Sequence, residues 1–157
     1  YLENINIEEK KQTKIKYNDD FLHQSKLIKY FIGEYNQTKI EKDLNNFLKK
    51  IKKDKKYSIS KKDIILIESL KSDGIKIDKK YDNLYKILDS EMPTDIQVMI
   101  NNNESASTIL RIIGVIGQDE LSALDEDTLF FIISALNQLN IDSIRNKILL
   151  KVLPLKV

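Results

Sequence analysis

The chain has 157 residues, enough for one ordinary domain, and Ile, Leu, Val and Phe together make up 53 of them. About a third of strongly apolar residues excludes intrinsic disorder for the bulk of the chain. With no Cys and a single His, disulfides, thiolate zinc sites, thiol nucleophiles and most imidazole chemistry are excluded together.

Net charge is +2, from 26 basic and 24 acidic residues. Its distribution divides the chain into a basic first part (19–91) and a more apolar, acidic second part (92–157). The cations are almost all lysine, with Arg111 and Arg145 the exceptions. Sites for nucleic acid favour the bidentate fork of arginine, so the lysine excess is read mainly as the codon bias of an AT-rich bacterial genome. No run of about 18 apolar residues occurs, so no transmembrane helix is expected. The chain opens at Tyr1, which reads as the terminal domain of a longer precursor whose upstream part has been removed. The compartment, cytoplasmic or exported, stays open.

Residues 1–18 are polar and are read as a flexible arm. From residue 19 the periodicity is helical and the class is all-α, with helices predicted at 19–35, 39–53, 61–72, 79–89, 95–102, 104–117, 126–139 and 142–153. In the first, Asp19, Asp20 and His23 share a face and suggest a surface ion pair. Thr38 with Glu41 forms a capping box for the second, whose apolar face is Ile40, Leu44, Phe47, Leu48 and Ile51. Ser60 with Asp63 forms an acidic variant of the box, between Ile59 and Ile64, and Gly74 ends that helix. Tyr81, Leu84, Tyr85 and Leu88 form a stripe on the fourth. Thr94 with Gln97 is a third box, after Pro93. The 104–117 helix carries Ala106, Ile109, Leu110, Ile112, Ile113, Val115 and Ile116 around most of its circumference. That pattern predicts burial on all sides at the centre of the fold, with the 126–153 pair packed against it. Asp125 is expected to cap the next helix, with Glu126 and Asp127 favoured by the helix dipole. Asn140 is expected to end it, and Ile144, Ile148 and Val152 to face inward from the last helix.

Paired in order, these helices make four antiparallel hairpins starting near 19, 61, 95 and 126, arranged as a solenoid-like repeat or an orthogonal bundle. The stretch from Leu136 through Asn140 to Arg145 resembles the turn between the two helices of a tetratricopeptide-like repeat, and the hairpin starts are spaced near repeat length. The resemblance covers the 126–153 hairpin and implies a helical scaffold that binds another protein or peptide. The chain departs from that pattern in having few small residues at helix contacts and no Trp.

No catalytic, cofactor or metal residue is nominated. Gly114 and Gly117 lie late in a helix and lack the strand, further glycines and Lys-Ser/Thr pair of a phosphate loop. Asp125-Glu126-Asp127 lacks the alternating ligands of a calcium loop. Two binding candidates stand out. Lys49, Lys50, Lys52, Lys53, Lys55 and Lys56 crowd one helix end and suit an anion, although the helix dipole alone favours cations there. Tyr81 and Tyr85 are read as core with their hydroxyls reaching the edge, and suit a partner face if exposed. The reading is a non-catalytic protein-interaction scaffold. The alternative is a lysine-rich binder of nucleic acid or anionic surfaces through residues 42–62. An enzyme running on Asp, Glu, Lys, Tyr or Ser is the third possibility, with no pair nominated.

Overall fold

The structure is a computed structural model that describes residues 15–86, 92–117 and 120–156. Its α-helices are α1 (Gln37–Lys53), α2 (Lys61–Ser72), α3 (Thr94–Asn101), α4 (Ser105–Ile116), α5 (Glu126–Gln138) and α6 (Asp142–Val152). The fold is all-α. Shorter 3₁₀ segments occupy Leu22–Gln24, Lys26–Ile32, Lys79–Leu84 and Leu121–Ala123.

The local punctuation follows the sequence where side chains can reach backbone donors. Ser60 and Asp63 form the reciprocal box at the start of α2, and Asp125 accepts from Thr128 N at the start of α5. Gly74 (φ +89°) and Asn140 (φ +56°) turn the chain in the left-handed region. Two predicted caps fail. Asn36 rather than Thr38 caps α1, because its Oδ1 accepts from Lys39 N at 2.8 Å. At α3, Thr94 is already helical and Pro93 supplies no side-chain bond. Two predicted helices are 3₁₀ instead. The 19–35 helix is interrupted at Ser25, whose extended backbone (ψ 170°) breaks the ladder while its hydroxyl caps the second piece. The 79–89 helix becomes Lys79–Leu84, and residues 87–89, with Leu88, lie outside the described residues.

α2 is the central helix. Ile65, Leu66, Ile67 and Leu70 are all buried, together with Asp63 and Ser69. Burial at three consecutive positions requires neighbours on most of the circumference. Each such side chain contributes about 1.5–3 kcal/mol of transfer free energy. α2 packs principally against α5, more than fifty residues away, and α6 packs against Lys26–Ile32. Lys79–Leu84 packs chiefly on α1 rather than pairing with α2. Ile15–Lys16 forms an antiparallel ladder with Leu155–Lys156, so the chain closes on itself. An open stack would leave each hairpin touching only its sequence neighbours. The arrangement is therefore a closed bundle. Of the predicted arm, residues 1–14 lie outside the described residues, while Tyr17 packs against the core.

The prediction for 104–117 is corrected. α4 lies at the periphery, against α3, and buries Thr108 and Ile112, while Leu110 is 69% and Ile113 57% exposed. Among the described residues its apolar circumference is wider than the surface α3, its close neighbour, covers. Ile144 is likewise exposed rather than inward, and the buried position beside it belongs to Arg145.

Arg145 is completely buried. Its guanidinium donates to both carboxylate oxygens of Asp73, at 2.7 and 2.8 Å, and to Asn137 Oδ1 at 3.1 Å. The Tyr30 hydroxyl donates to the same carboxylate at 3.0 Å. Burial and the Asp73 carboxylate together push the Tyr30 hydroxyl up to about 12. This bidentate pair ties the end of α2 to α5, α6 and Lys26–Ile32.

Candidate functional site

The most connected polar cluster surrounds Asp63. Its Oδ1 accepts from the backbone N–H of His23 at 2.9 Å and lies 2.6 Å from His23 Nδ1. Its Oδ2 accepts from the Tyr57 hydroxyl at 2.8 Å and from Ser60 N at 3.1 Å. Leu22 N in turn donates to the Tyr57 oxygen at 2.9 Å. Burial would raise the Asp63 carboxyl, but the bonds from His23, Ser60 and Tyr57 outweigh it and hold the group below the usual carboxylate range. Burial also pushes the Tyr57 hydroxyl up. The predicted surface ion pair of His23 with Asp19 and Asp20 is thus replaced by a buried contact across forty residues. Asp19 instead accepts from Lys26 N at 3.1 Å.

A serine, a histidine and an aspartate meet here without the geometry of a nucleophilic triad. Ser60 Oγ lies 3.4 Å from His23 Nδ1, the same ring nitrogen that faces Asp63. A triad needs the hydroxyl on one nitrogen and the carboxylate on the other. Ser60 Oγ is also engaged by Asp63 N at 3.1 Å. The cluster holds the start of α2 to the Leu22–Gln24 turn.

The lysine run is divided by the structure. Lys49, Lys50, Lys52 and Lys53 project from the last turns of α1, and Lys55 and Lys56 follow beyond it; all six are exposed. Lys50 faces a small cleft with Asp43 and Asp19. Lys49 lines a different groove, of about 660 Å³, between α1 and residues 76–81. Thr38, Glu41, Lys42, Asn45, Asn46 and Lys49 supply one wall, at the spacing of a single helix face, and Lys76, Asp78, Lys80 and Tyr81 supply the other. Asn45 joins the walls: its Oδ1 accepts from Asp78 N at 2.9 Å and its Nδ2 donates to Lys76 O at 3.1 Å. Glu41 Oε1 accepts from Lys76 N at 3.0 Å, and that backbone bond holds its carboxyl below the ordinary value. Lys76 and Lys80 were invisible as members of this site, because no local pattern announces a contact across thirty residues.

Tyr81 and Tyr85 do not form an exposed partner face. Both are buried, at 3% and 4% exposure. Lys52 and Lys80 sit over the Tyr81 ring at 5.9 and 5.2 Å, and Lys71 sits over Tyr85 at 5.1 Å.

Among the described residues the most exposed large apolar side chains lie elsewhere, on α3 and α4, ahead of Phe21, Ile32 and Ile144. Val98 of α3 is 51% exposed, beside the exposed Leu110 and Ile113 of the adjoining helix α4. Ala106, Leu110, Ile113 and Gly114 follow one face of α4, and nothing stands within 4 Å of a Cβ built at Gly114. From Ser105 to Gly117 the single charged residue is Arg111, and Asp95 of α3 holds it at 2.9 Å. A third concavity, of about 390 Å³, runs between α2 and α5, with Ile65, Phe130 and Ile133 among its lining residues. Among the described residues no group of three or more His, Asp or Glu side chains is placed to hold a metal ion. No helix among them is long and apolar enough to cross a membrane.

No family model matches this sequence, and neither a curated protein nor a solved structure shows significant similarity to it.

Proposed function

We propose that this domain is a non-catalytic protein-interaction module whose contact surface is the α3–α4 face. The observation that supports it is the exposure of Leu110 and Ile113 on α4 and of Val98 on the adjoining α3, with the one charge of α4, Arg111, paired to Asp95 of α3. In a protein in which 32% of residues are charged, thirteen consecutive positions with one paired charge form a surface of low desolvation cost. Apolar and nearly neutral, it suits an amphipathic helix or extended segment of another protein.

The test is a photo-crosslinking residue placed at Leu110 in cells that make the protein. A discrete adduct is expected that is absent when the crosslinker sits at exposed Lys147 and is reduced by Ile113→Lys. Labelling at Leu110 no different from that at Lys147 would overturn the assignment.

A further inference from the structure

The groove between α1 and residues 76–81 has a composition that the interaction face does not explain. Lys42, Lys49, Lys76 and Lys80 line it from two sides, with Glu41 and Asp78 the only carboxylates in the lining. Both carboxylates are turned to backbone donors, Glu41 to Lys76 N and Asp78 to Lys80 N. Lys80 lies 3.6 Å from Asp78, while no ion pair among the described residues engages Lys42, Lys49 or Lys76. The four lysines outnumber the two carboxylates of the lining, and cations in excess within one concavity repel one another, a repulsion that an anion relieves. The walls do not have to form on binding, because the Asn45 and Glu41 bonds already fix them to each other.

The chemistry of the lining selects the anion. Lysine ammonium groups act as point charges that approach a phosphate from any direction. Exposed Thr38 and Asn46 add neutral donors for further oxygens. Lys42 and Lys49 are seven residues apart on α1, roughly 10 Å along the axis, with Lys76 and Lys80 facing them. Charges on two walls around a concavity suit a compact ligand bearing more than one phosphate. A nucleic-acid strand is disfavoured, because Tyr81, the aromatic residue of the described lining, is buried and Lys52 and Lys80 sit over its ring. The groove also holds neither of the two arginines, which are paired with Asp95 and Asp73.

We infer that this groove is a binding site for a compact multiply phosphorylated ligand, either a free oligophosphate or a phosphorylated lipid headgroup, held by Lys42, Lys49, Lys76 and Lys80.

The experiment is a titration of the protein with sodium tripolyphosphate, followed by amide chemical shifts. A parallel arm uses co-sedimentation with phosphatidylcholine vesicles with and without phosphatidylinositol bisphosphate. The expected result is saturable binding with shifts confined to Thr38–Lys49 and Lys76–Tyr81. Lys49→Gln with Lys76→Gln should weaken it by about tenfold or more, while Lys55→Gln with Lys56→Gln should change it less than twofold. Binding to tripolyphosphate identifies a free oligophosphate as sufficient. Binding to the phosphatidylinositol bisphosphate vesicles alone, with the same lysine dependence, identifies the headgroup. All four positions are exposed, and unchanged urea midpoints of the variants separate lost binding from lost folding. Equal losses from the two lysine pairs would show diffuse attraction and overturn the assignment. So would absence of binding at low salt, or tighter binding of a single-stranded RNA oligomer with the same lysine dependence.

Discussion

Replacing Asp63 by Asn preserves the size of the side chain and removes one acceptor oxygen and one charge. In the folded protein four donors converge on that carboxylate: His23 N–H, the His23 imidazole at Nδ1, the Tyr57 hydroxyl and Ser60 N–H. An amide can serve one pair of them. Placed toward Tyr57 and Ser60, its NH₂ can be accepted by the Tyr57 oxygen but leaves Ser60 N–H without a partner. Placed toward His23, it can be accepted by a switched imidazole tautomer but leaves His23 N–H orphaned. Either way one buried donor is lost, at about 1–3 kcal/mol, and the surviving bonds lose their charge assistance. The sum is about 3–5 kcal/mol, the range for removing one partner of a buried pair. For a domain of this size that lowers Tm by roughly 6–20 °C. Urea unfolding should show a lower midpoint with an unchanged slope. The same carboxylate gives a pH signature. Its folded-state pKa is depressed, so its contribution is fully present above the unfolded value near pH 4 and is lost as pH falls through the folded value. Wild-type stability should therefore decline with acid below about pH 4, and Asp63→Asn should flatten that part of the profile. A destabilisation below about 1 kcal/mol at neutral pH would refute the reasoning, because it would mean the four bonds are not made together.

Two further outcomes follow from burial. Arg145→Lys should cost about 3 kcal/mol or more by chemical denaturation, since one ammonium cannot replace the two-pronged contact with Asp73 and the bond to Asn137 in a fully buried site. A cost near zero would place the pair at the solvent. On α4, Ile112→Ala should cost about 2–4 kcal/mol while Leu110→Gln should stay within roughly 0.5 kcal/mol, measured in the same way. A cost at Leu110 as large as that at Ile112 would return α4 to the interior.

The helix class, the starts of α2 and α5 and the left-handed turns at Gly74 and Asn140 were legible in the sequence. Each rests on interactions within a few residues: a side-chain oxygen reaching the second or third backbone N–H, or a backbone angle only certain residues tolerate. The failures at Thr38 and Thr94 show the limit of that reasoning. Asn36 starts the helix two residues earlier by accepting from Lys39 N, which places Thr38 inside the first turn, and Pro93 precedes a helix that has no side-chain cap. The break at Ser25 was also local, but a serine inside an apolar repeat carries too weak a signal against the periodicity around it.

Which apolar surface is covered is not a local property. α2 and α4 both carry runs of isoleucine and leucine, and only the packing partners distinguish them: α5 and the Leu22–Gln24 turn wrap α2, whereas α4 has α3 as its close neighbour. The same holds for polar residues. His23 and Asp63, Arg145 and Asp73, and Lys49 and Lys76 are each separated by more than twenty-five residues, so no spacing rule relates them. The sequence by itself determined that this chain is helical, where several of its helices begin and end, and that it carries an excess of lysine. Tertiary structure decided which helix is central and which apolar stripe stays exposed. It also decided which lysines share a groove, because burial and charge pairing depend on what the closed bundle brings together.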